Sequence, residues 1–283
     1  MSLEHVSLNE LLQYSPFYQV GPDIDRIQVA HRLKLVEFWR PHIGDRILEI
    51  GCGQGSTTIT LAHAVGPDGS VYAIDNASPD YGSPLTLAEA KAFIAGTQLG
   101  PRIEFVFETD VLSPAITFPE GSFDLVVLSL CSWYFRSINE LREILCKTRS
   151  WAKRLAYAEW DPSPTIPAQI PHFLAVLLWA QYESFREESD STLRALITPK
   201  EAKQAAIDAG WVIDREDNFL TLEMEDAQWE VASALKYIQS GSCHLDGTPP
   251  KFKTLLNSQV QLLENLVQQC GFGSLPTHAF TAE

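Results

Sequence analysis

The chain has 283 residues, of which 45% are hydrophobic and 10% aromatic. This composition can bury a sizeable core, so it excludes a largely disordered chain and suits one large α/β domain with insertions or two small domains. The formal net charge is −15, and no cluster of Lys and Arg interrupts the acidic background. Such a chain repels phosphate backbones, so nucleic acid is not expected as a partner.

The cysteines and the apolar segments indicate in which cellular compartment the protein is expected. The five cysteines are odd in number and show no Cys-x-x-Cys spacing, which argues against a disulfide framework and a zinc site and indicates a reducing, cytoplasmic location without a bound metal. The first nine residues lack a basic region followed by an apolar run, so we expect no secretory signal. The most apolar segment, 170–180, is too short to span a membrane.

In the first 160 residues, short β-rich runs alternate with stretches of helical periodicity. This alternation is typical of a parallel sheet with helices on both faces. It predicts strands at 46–50, 70–74, 103–107, 123–129 and 154–159, and helices at 24–39, 57–64, 85–99 and 138–146.

The regular alternation ends after residue 159. The proline-rich segment 161–167 can be neither helix nor central strand. Helices are predicted at 168–188, 227–238 and 251–269, with another that begins after the N-cap Thr198 and ends at Gly210. Extended segments are predicted at 211–213, 218–222 and 278–281.

Three glycines follow the first predicted strand in the pattern Glu49-x-Gly51-x-Gly53-x-Gly55. Glycine allows a tight turn and lets a ligand approach the backbone, and the following helix directs its N-terminal amides into the same crevice. A dinucleotide fingerprint would place its third glycine at position 56, which is serine. The pattern therefore indicates a cofactor site but disfavours a diphosphate ligand.

This spacing resembles motif I of the class I S-adenosylmethionine (SAM)-dependent methyltransferases, and the likeness extends over residues 45–160. It implies SAM as cofactor and an α/β, Rossmann-like, mostly parallel seven-stranded sheet with helices on both faces. The last two strands would be an antiparallel pair, supplied here by 211–222 and 278–281. Helical insertions and an N-terminal lid would complete the fold.

The same resemblance assigns roles to residues at the strand ends. Asp75 corresponds to the acid that binds the ribose hydroxyls, and Asp110 to the acid that receives the adenine amino group. Glu49 matches the acid beneath the methionine end, while Asp75 as a turn residue and Asp110 as a solvated loop acid remain alternatives. The expected cofactor-binding set is Glu49, Gly51, Cys52, Gly53, Gly55, Asp75, Asn76, Asp110, Val111 and Ser129.

The acceptor site is expected between an N-terminal lid, residues 1–40, and a SAM-binding domain, residues 41–283, with helical insertions at about 160–197 and 224–273. The aromatic segment 14–18 would form part of the lid, with simple core packing as the alternative. Methyl transfer needs a general base only if the acceptor must lose a proton. The candidates are His172, His31, Glu159 and Asp161, with Tyr18 as an orienting group.

The resulting hypothesis is a methyltransferase of secondary metabolism that acts on a small, fairly apolar molecule at an O, N, C or S atom. Ser129-Leu130-Cys131-Ser132 follows the fourth strand where the amino-methyltransferases of nucleic acid and glutamine have an Asn-Pro-Pro-Tyr-like tetrapeptide. Two alternatives remain: a protein that uses bound SAM for a non-methylating pericyclic or decarboxylative reaction, and a non-catalytic binding subunit. The chain is also compatible with a homodimer.

Overall fold

The computed structural model describes residues 7–186, 191–239 and 248–283. Its seven strands are β1 (Arg46–Ile50), β2 (Ser70–Ile74), β3 (Ile103–Val106), β4 (Phe123–Ser129), β5 (Ala152–Trp160), β6 (Ile213–Phe219) and β7 (Thr277–Ala282). Its nine α-helices within the described residues are α1 (Leu8–Leu12), α2 (Pro22–Trp39), α3 (Ser56–Ala64), α4 (Leu87–Ala95), α5 (Ile138–Arg149), α6 (Ile170–Glu183), α7 (Pro199–Asp208), α8 (Asp226–Gln239) and α9 (Pro250–Cys270).

All seven strands form one sheet in the order β3-β2-β1-β4-β5-β7-β6. The first five strands are parallel, and β7 lies antiparallel between β5 and β6. The predicted Rossmann-like, mostly parallel sheet is therefore confirmed. Its order reverses between β1 and β4, and ligands of such sheets bind in the crevice at that reversal.

The central strands are buried on both faces, as their continuous apolar sequence predicts. In β4, Leu125 and Val127 pack against α2 and α3, whereas Val126 and Leu128 belong to a second cluster that includes α5 and α7. The parallel sheet thus has its core on two sides. A third apolar cluster joins α6, α8 and α9.

The sixth strand differs from its prediction as two short segments, 211–213 and 218–222. It is continuous from Ile213 to Phe219 and pairs with β7 along its length, apart from a register shift near Arg215. Its polar residues have low β-propensity, but on an edge strand their side chains reach solvent while the backbone pairs. Local β-propensity therefore did not predict the whole of this strand, because pairing with β7 stabilises it.

Several helix boundaries also differ from their predictions. Helix α4 begins after the capping box that Thr86 forms with Glu89, and it ends before Gly96. Helix α6 ends at Glu183 rather than at 188, and residues 187 and 188 lie outside the described part of the chain. Within that part, no helix combines the length and apolar character that crossing a membrane requires.

Candidate functional site

A cavity of about 500 Å³ lies at the carboxyl ends of β1, β2 and β4, where the strand order reverses. This volume suits a ligand the size of a nucleoside cofactor. Eight of the ten predicted cofactor-binding residues line it: Gly51, Cys52, Gly53, Asp75, Asn76, Asp110, Val111 and Ser129. The structure thus brings together residues separated by as many as 78 positions in the sequence.

Asp75 connects two loops at the edge of this cavity. Its Oδ2 accepts a 2.8 Å hydrogen bond from the backbone N–H of Gly53, and its Oδ1 accepts a 2.9 Å bond from that of Ala77. A carboxylate oxygen can accept more than one hydrogen bond. Asp75 can therefore hold the glycine loop in place and still accept bonds from two ribose hydroxyls.

The three motif glycines have different structural roles. A Cβ atom at Gly51 would lie 2.6 Å from the Cβ of Cys131, and one at Gly55 would lie 2.9 Å from Cδ1 of Ile94. At Gly53, by contrast, a Cβ would meet no protein atom within 4 Å, although its φ of +51° favours glycine. Gly51 and Gly55 are thus required by packing, whereas Gly53 exposes its backbone to the cavity.

Glu49 lies in β1 and is fully buried. It is not among the described residues that line the cavity, and its Oε2 has no hydrogen-bond partner in the described structure. Burial raises the pKa of Glu49 to about 8, helped by the nearby charge of Asp75. The side chain is therefore largely protonated at neutral pH.

The remaining cofactor-site residues occupy the rim and the end of β4. The Oδ1 of Asp110 accepts a 2.8 Å bond from the N–H of Leu112 and leaves the rest of this exposed carboxylate open to a ligand. Val111 is buried beside it. Ser129 is buried and accepts a 3.3 Å hydrogen bond from the Thr57 hydroxyl in α3. These residues give the cavity polar and apolar walls.

A second, smaller cavity of about 140 Å³ adjoins the first. Both cavities share Arg32, Leu130 and Tyr134 as lining residues. Aromatic, carboxylate and hydroxyl side chains form the rest of the smaller cavity: Trp133, Glu159, Trp160, His172, Thr192, Asp226 and Glu230. Its walls come from α2, β5, α6 and α8 and from the segments after β4 and before α7, so both predicted insertions contribute to it.

His172 lines the second cavity, but its geometry does not support the predicted role as a general base. The backbone N–H of Leu275 donates to its Nδ1 at 3.1 Å, so the proton of the neutral ring is on Nε2. Burial lowers the pKa of His172 to about 3, which keeps the ring neutral. His172 can therefore donate a hydrogen bond into the cavity but has no free lone pair to accept a proton.

The structure places His31 and Tyr18 elsewhere. His31 is buried, and its two ring nitrogens bond the hydroxyls of Thr221 and Thr277 at 3.1 and 3.0 Å. Tyr18 is 36% exposed. Neither residue is among the described residues that line the two cavities, so we do not retain them as catalytic candidates.

The carboxylates of two other candidate bases, Glu159 and Asp161, also accept hydrogen bonds from nearby residues. Both carboxylate oxygens of Glu159 accept backbone or hydroxyl hydrogens, from Ser132, Trp133 and Trp160. Burial raises the pKa of Glu159, and these bonds counteract the shift. Asp161 accepts a 3.1 Å bond from the Ser163 N–H and is not among the described lining residues.

Arg32 is a site residue that sequence analysis missed. Its side chain lines both cavities, and its Nη1 is inaccessible to solvent and without a hydrogen-bond partner among the described residues. Burial lowers the pKa of Arg32, while the charges of Asp226 and Glu159 raise it. A signal was present: Arg32 lies at helical spacing between the buried residues Val29 and Val36. A cation within a buried helical stripe indicates a special role.

Asp226 and Glu230 were missed for a different reason. They are one turn apart on α8 and face the second cavity, about 70 residues beyond the β5 residue Glu159 that shares this cavity. No local pattern distinguishes them from the solvated acids of an amphipathic helix. Only the packing of α8 against α6 brings them to the site.

Comparisons with known proteins agree with this geometry. The family described as "Methyltransferase domain" matches residues 47–154. A cyclopropane-fatty-acyl-phospholipid synthase-like protein from Lactobacillus casei ATCC 334 has a solved structure that is 32% identical, with a TM-score of 0.86 over 97% of this chain and 98% of that one.

Two curated relatives are methyltransferases. Methyltransferase phomM from Diaporthe leptostromiformis is 28% identical over 72% of this chain and 63% of its own length. The matched part is thus less than two thirds of that relative. Aklanonic acid methyltransferase DauC from Streptomyces sp. (strain C5) is 36% identical over 33% of this chain and 38% of its own.

The residues at the cavity also fit SAM chemically. Gly53 offers an open backbone cradle, Asp75 has spare acceptor capacity, and Arg32 supplies a cation for an amino-acid carboxylate. Sequence relatives, fold and cavity agree, and the chain belongs to the class I SAM-dependent methyltransferases.

Proposed function

We propose that the protein methylates a small, fairly apolar acceptor at an O, N, C or S atom. The observation that carries this proposal is the junction of the two cavities, which share Arg32, Leu130 and Tyr134. SAM supplies a methyl group already activated on a sulfonium. The protein then has to align the acceptor with that methyl group and exclude water, and adjoining cavities suit both tasks.

In this proposal the larger cavity holds SAM. Asp75 binds the ribose hydroxyls, with Asn76 beside it, while Asp110 and Val111 contact the adenine. Gly51, Cys52, Gly53 and Ser129 present backbone and small side chains to the rest of the cofactor. Glu49 and Gly55 support this loop from below, since Glu49 is buried and Gly55 packs against Ile94 and Phe105.

We infer that Arg32 pairs with the carboxylate of the methionyl end of SAM. A buried guanidinium without a full set of partners is costly, and a carboxylate would satisfy it. Arg32 lies where the two cavities meet, so the methionyl end would be close to the acceptor. This assignment keeps the sulfonium, which is part of the methionyl end, near the second cavity.

The smaller cavity is the proposed acceptor site. Trp133 and Trp160 offer apolar surface there, and α6 and α8 from the two insertions close its sides. Within the predicted N-terminal lid, residues 1–40, helix α2 is the part that covers the site, because it carries Arg32. The segment 14–18 is not among the described residues that line either cavity; Ser15 in it instead bonds Asp25 of α2.

The acidic charge of the chain supports small molecules rather than nucleic acid as acceptors. A relative named for aklanonic acid supports a role in secondary metabolism. A cytoplasmic location and a homodimer stay predictions from the sequence. Light scattering during gel filtration would decide between monomer and homodimer.

The experiment that tests the proposed function is a stoichiometry. The protein is incubated with SAM and a panel of small O-, N-, C- and S-nucleophiles, and S-adenosylhomocysteine (SAH) and consumed acceptor are both quantified. One SAH per acceptor consumed supports methyl transfer. Conversion of a panel member without SAH would support the non-methylating alternative, and failure to bind SAM would support the non-catalytic one.

A further inference from the structure

Three acidic side chains among the described residues line the second cavity: Glu159, Asp226 and Glu230. Glu159 is satisfied by four hydrogen bonds, but Asp226 and Glu230 also face the cavity from successive turns of α8. Asp226 accepts a 2.9 Å bond from the Gln28 side chain and interacts electrostatically with Arg32. For Glu230, by contrast, the neighbours that act on its pKa are the charge of Asp226 and a hydrogen bond with the Thr192 hydroxyl, and neither is a cation.

A hydrogen-bond donor is also presented to this cavity without a partner. His172 is 1% exposed and lines the cavity, and the Leu275 amide occupies its Nδ1. Its Nε2–H has no hydrogen-bond partner in the parts of the chain that the structure describes. Because His172 lines the cavity, this N–H can donate a hydrogen bond to an acceptor atom of a ligand. The cavity therefore offers a carboxylate and a donor to one small molecule.

We propose that the second cavity binds an uncharged or cationic small molecule that presents an O–H or N–H to Glu230, and that Glu230 receives its proton during methyl transfer. This inference rests on the proposed function. In the balanced step, the acceptor's X–H bond breaks and its proton goes to the Glu230 carboxylate. The bond between X and the methyl carbon forms as the sulfur–methyl bond of SAM breaks, which leaves SAH.

The electrostatic setting fits this role. Burial, with the nearby charge of Asp226, raises the pKa of Glu230 to about 7, and a hydrogen bond with Thr192 acts against that shift. A general base is most effective when its pKa lies near the working pH. The other titratable or charged groups on the cavity wall are Asp226, Arg32, Glu159, His172 and Tyr134. Helix α9, which also packs on α8, contributes no residue to the wall within its described part.

The charge balance predicts which acceptors are excluded. If the methionyl carboxylate neutralises Arg32, the remaining charged groups on the wall are carboxylates. An anionic acceptor would then enter against like charges, which disfavours binding. A protonated amine would be attracted, and an alcohol would pay no electrostatic penalty. The shared chemistry is thus a hydrogen-bond donor without negative charge.

The test uses three probes of similar size and different charge: benzylamine, benzyl alcohol and benzoate. SAH binding to the full chain is measured first by titration calorimetry, and each probe is then titrated into the SAH-loaded protein at pH 7. We expect benzylammonium to bind at least tenfold more tightly than benzoate, with benzyl alcohol between them. Glu230→Gln should remove most of the benzylammonium preference and leave SAH affinity unchanged. Glu223→Gln, an exposed acid just before α8, is the matched control.

The number of protons released on binding shows whether Glu230 ionises when the probe binds or only shapes the cavity. A group with a pKa of about 7 is half protonated at pH 7, so binding of benzylammonium should release roughly half a proton. Titrations in two buffers of different ionisation enthalpy measure this number. Release should disappear in Glu230→Gln and persist in Glu223→Gln.

Different results would contradict the proposed function and the inference about the acceptor cavity. If the protein does not bind SAH, the proposed function is wrong and this inference falls with it. If SAH binds but benzoate is the tightest probe, if no probe binds, or if Glu230→Gln releases as many protons as the unmodified protein, only the acceptor inference is overturned.

Discussion

The backbone N–H of Gly53 donates a 2.8 Å hydrogen bond to Oδ2 of Asp75, which joins the loop after β1 to the end of β2. The two residues follow the neighbouring parallel strands β1 and β2, whose carboxyl ends meet at the same edge of the sheet. One carboxylate thus positions the glycine loop and faces the cavity. Loss of the Asp75 carboxylate should therefore disturb both the glycine loop and ligand binding in the cavity.

Asp75→Ala should weaken SAH binding by about 1.5–3 kcal/mol, the range for losing a hydrogen bond to a charged group. Titration calorimetry measures the change. Asp80→Ala, a substitution of an exposed acid shortly after Asp75, is the control and should leave affinity unchanged. Equal affinities of Asp75→Ala and the unmodified protein would remove Asp75 from the ribose site.

The sequence predicted more of the residues that line the cofactor cavity than of those that line the acceptor cavity. The loop after β1 and the end of β2 each follow a short apolar strand, and parallel strands bring such ends together by geometry alone. Glu230 comes from α8, whose position depends on tertiary packing among α6, α8 and α9. The tautomer of His172 depends on the Leu275 amide, which is 103 residues away, and no sequence pattern reports such a contact.

Gly53→Val should abolish SAH binding and preserve the fold, because a side chain there meets no protein atom but intrudes where the ligand meets the backbone. Its φ of +51° adds backbone strain, so a matched control is needed. Gly121→Val provides it: φ is +67°, no atom lies within 4 Å of its Cβ, and Gly121 is not among the described residues lining the cavities.

Gly55→Val should behave in the opposite way to Gly53→Val. Its Cβ would lie 2.9 Å from Ile94 and 3.1 Å from Phe105, so the variant should lose stability. Thermal unfolding and calorimetry on the three variants separate the effects. If Gly53→Val binds SAH as well as Gly121→Val does, Gly53 does not form the cradle.

Glu49→Gln should change how stability depends on pH. The pKa of Glu49 is raised from 4.5 in an exposed chain to about 8 in the fold, so the folded state holds a proton that the unfolded state loses. Stability of the unmodified protein should therefore fall as pH rises from about 4.5 to 8, by up to about 1.4 kcal/mol per pH unit from this group. Glutamine cannot ionise and should remove this contribution.

Urea unfolding at pH 5, 6.5 and 8 measures the free energy of unfolding of both proteins. Only the difference between them is interpreted, because other buried groups, such as Glu230 and His31, titrate equally in both. The gain of Glu49→Gln over the unmodified protein should increase with pH. Parallel curves would show that Glu49 does not hold a proton in the fold.

Arg32→Gln should discriminate between two ligands that differ only at the methionyl end. SAH carries the amino-acid carboxylate, whereas 5′-methylthioadenosine keeps the nucleoside and sulfur without it. If Arg32 binds that carboxylate, the variant should lose about 1.5–3 kcal/mol with SAH, which is roughly tenfold to 150-fold in affinity. Affinity for 5′-methylthioadenosine should stay within about twofold, far below the tenfold change that 1.4 kcal/mol represents.

Arg26→Gln is the matched control, since Arg26 lies on the same helix with an exposed side chain bonded to Asn9. It should not change affinity for either ligand. The comparison between ligands matters more than the loss itself, because a buried cation also shapes the cavity that it lines. An equal loss with SAH and 5′-methylthioadenosine would mean that Arg32 acts through cavity shape or through its interaction with Asp226. A loss confined to SAH would place the methionyl carboxylate beside Arg32, where the cofactor cavity meets the acceptor cavity.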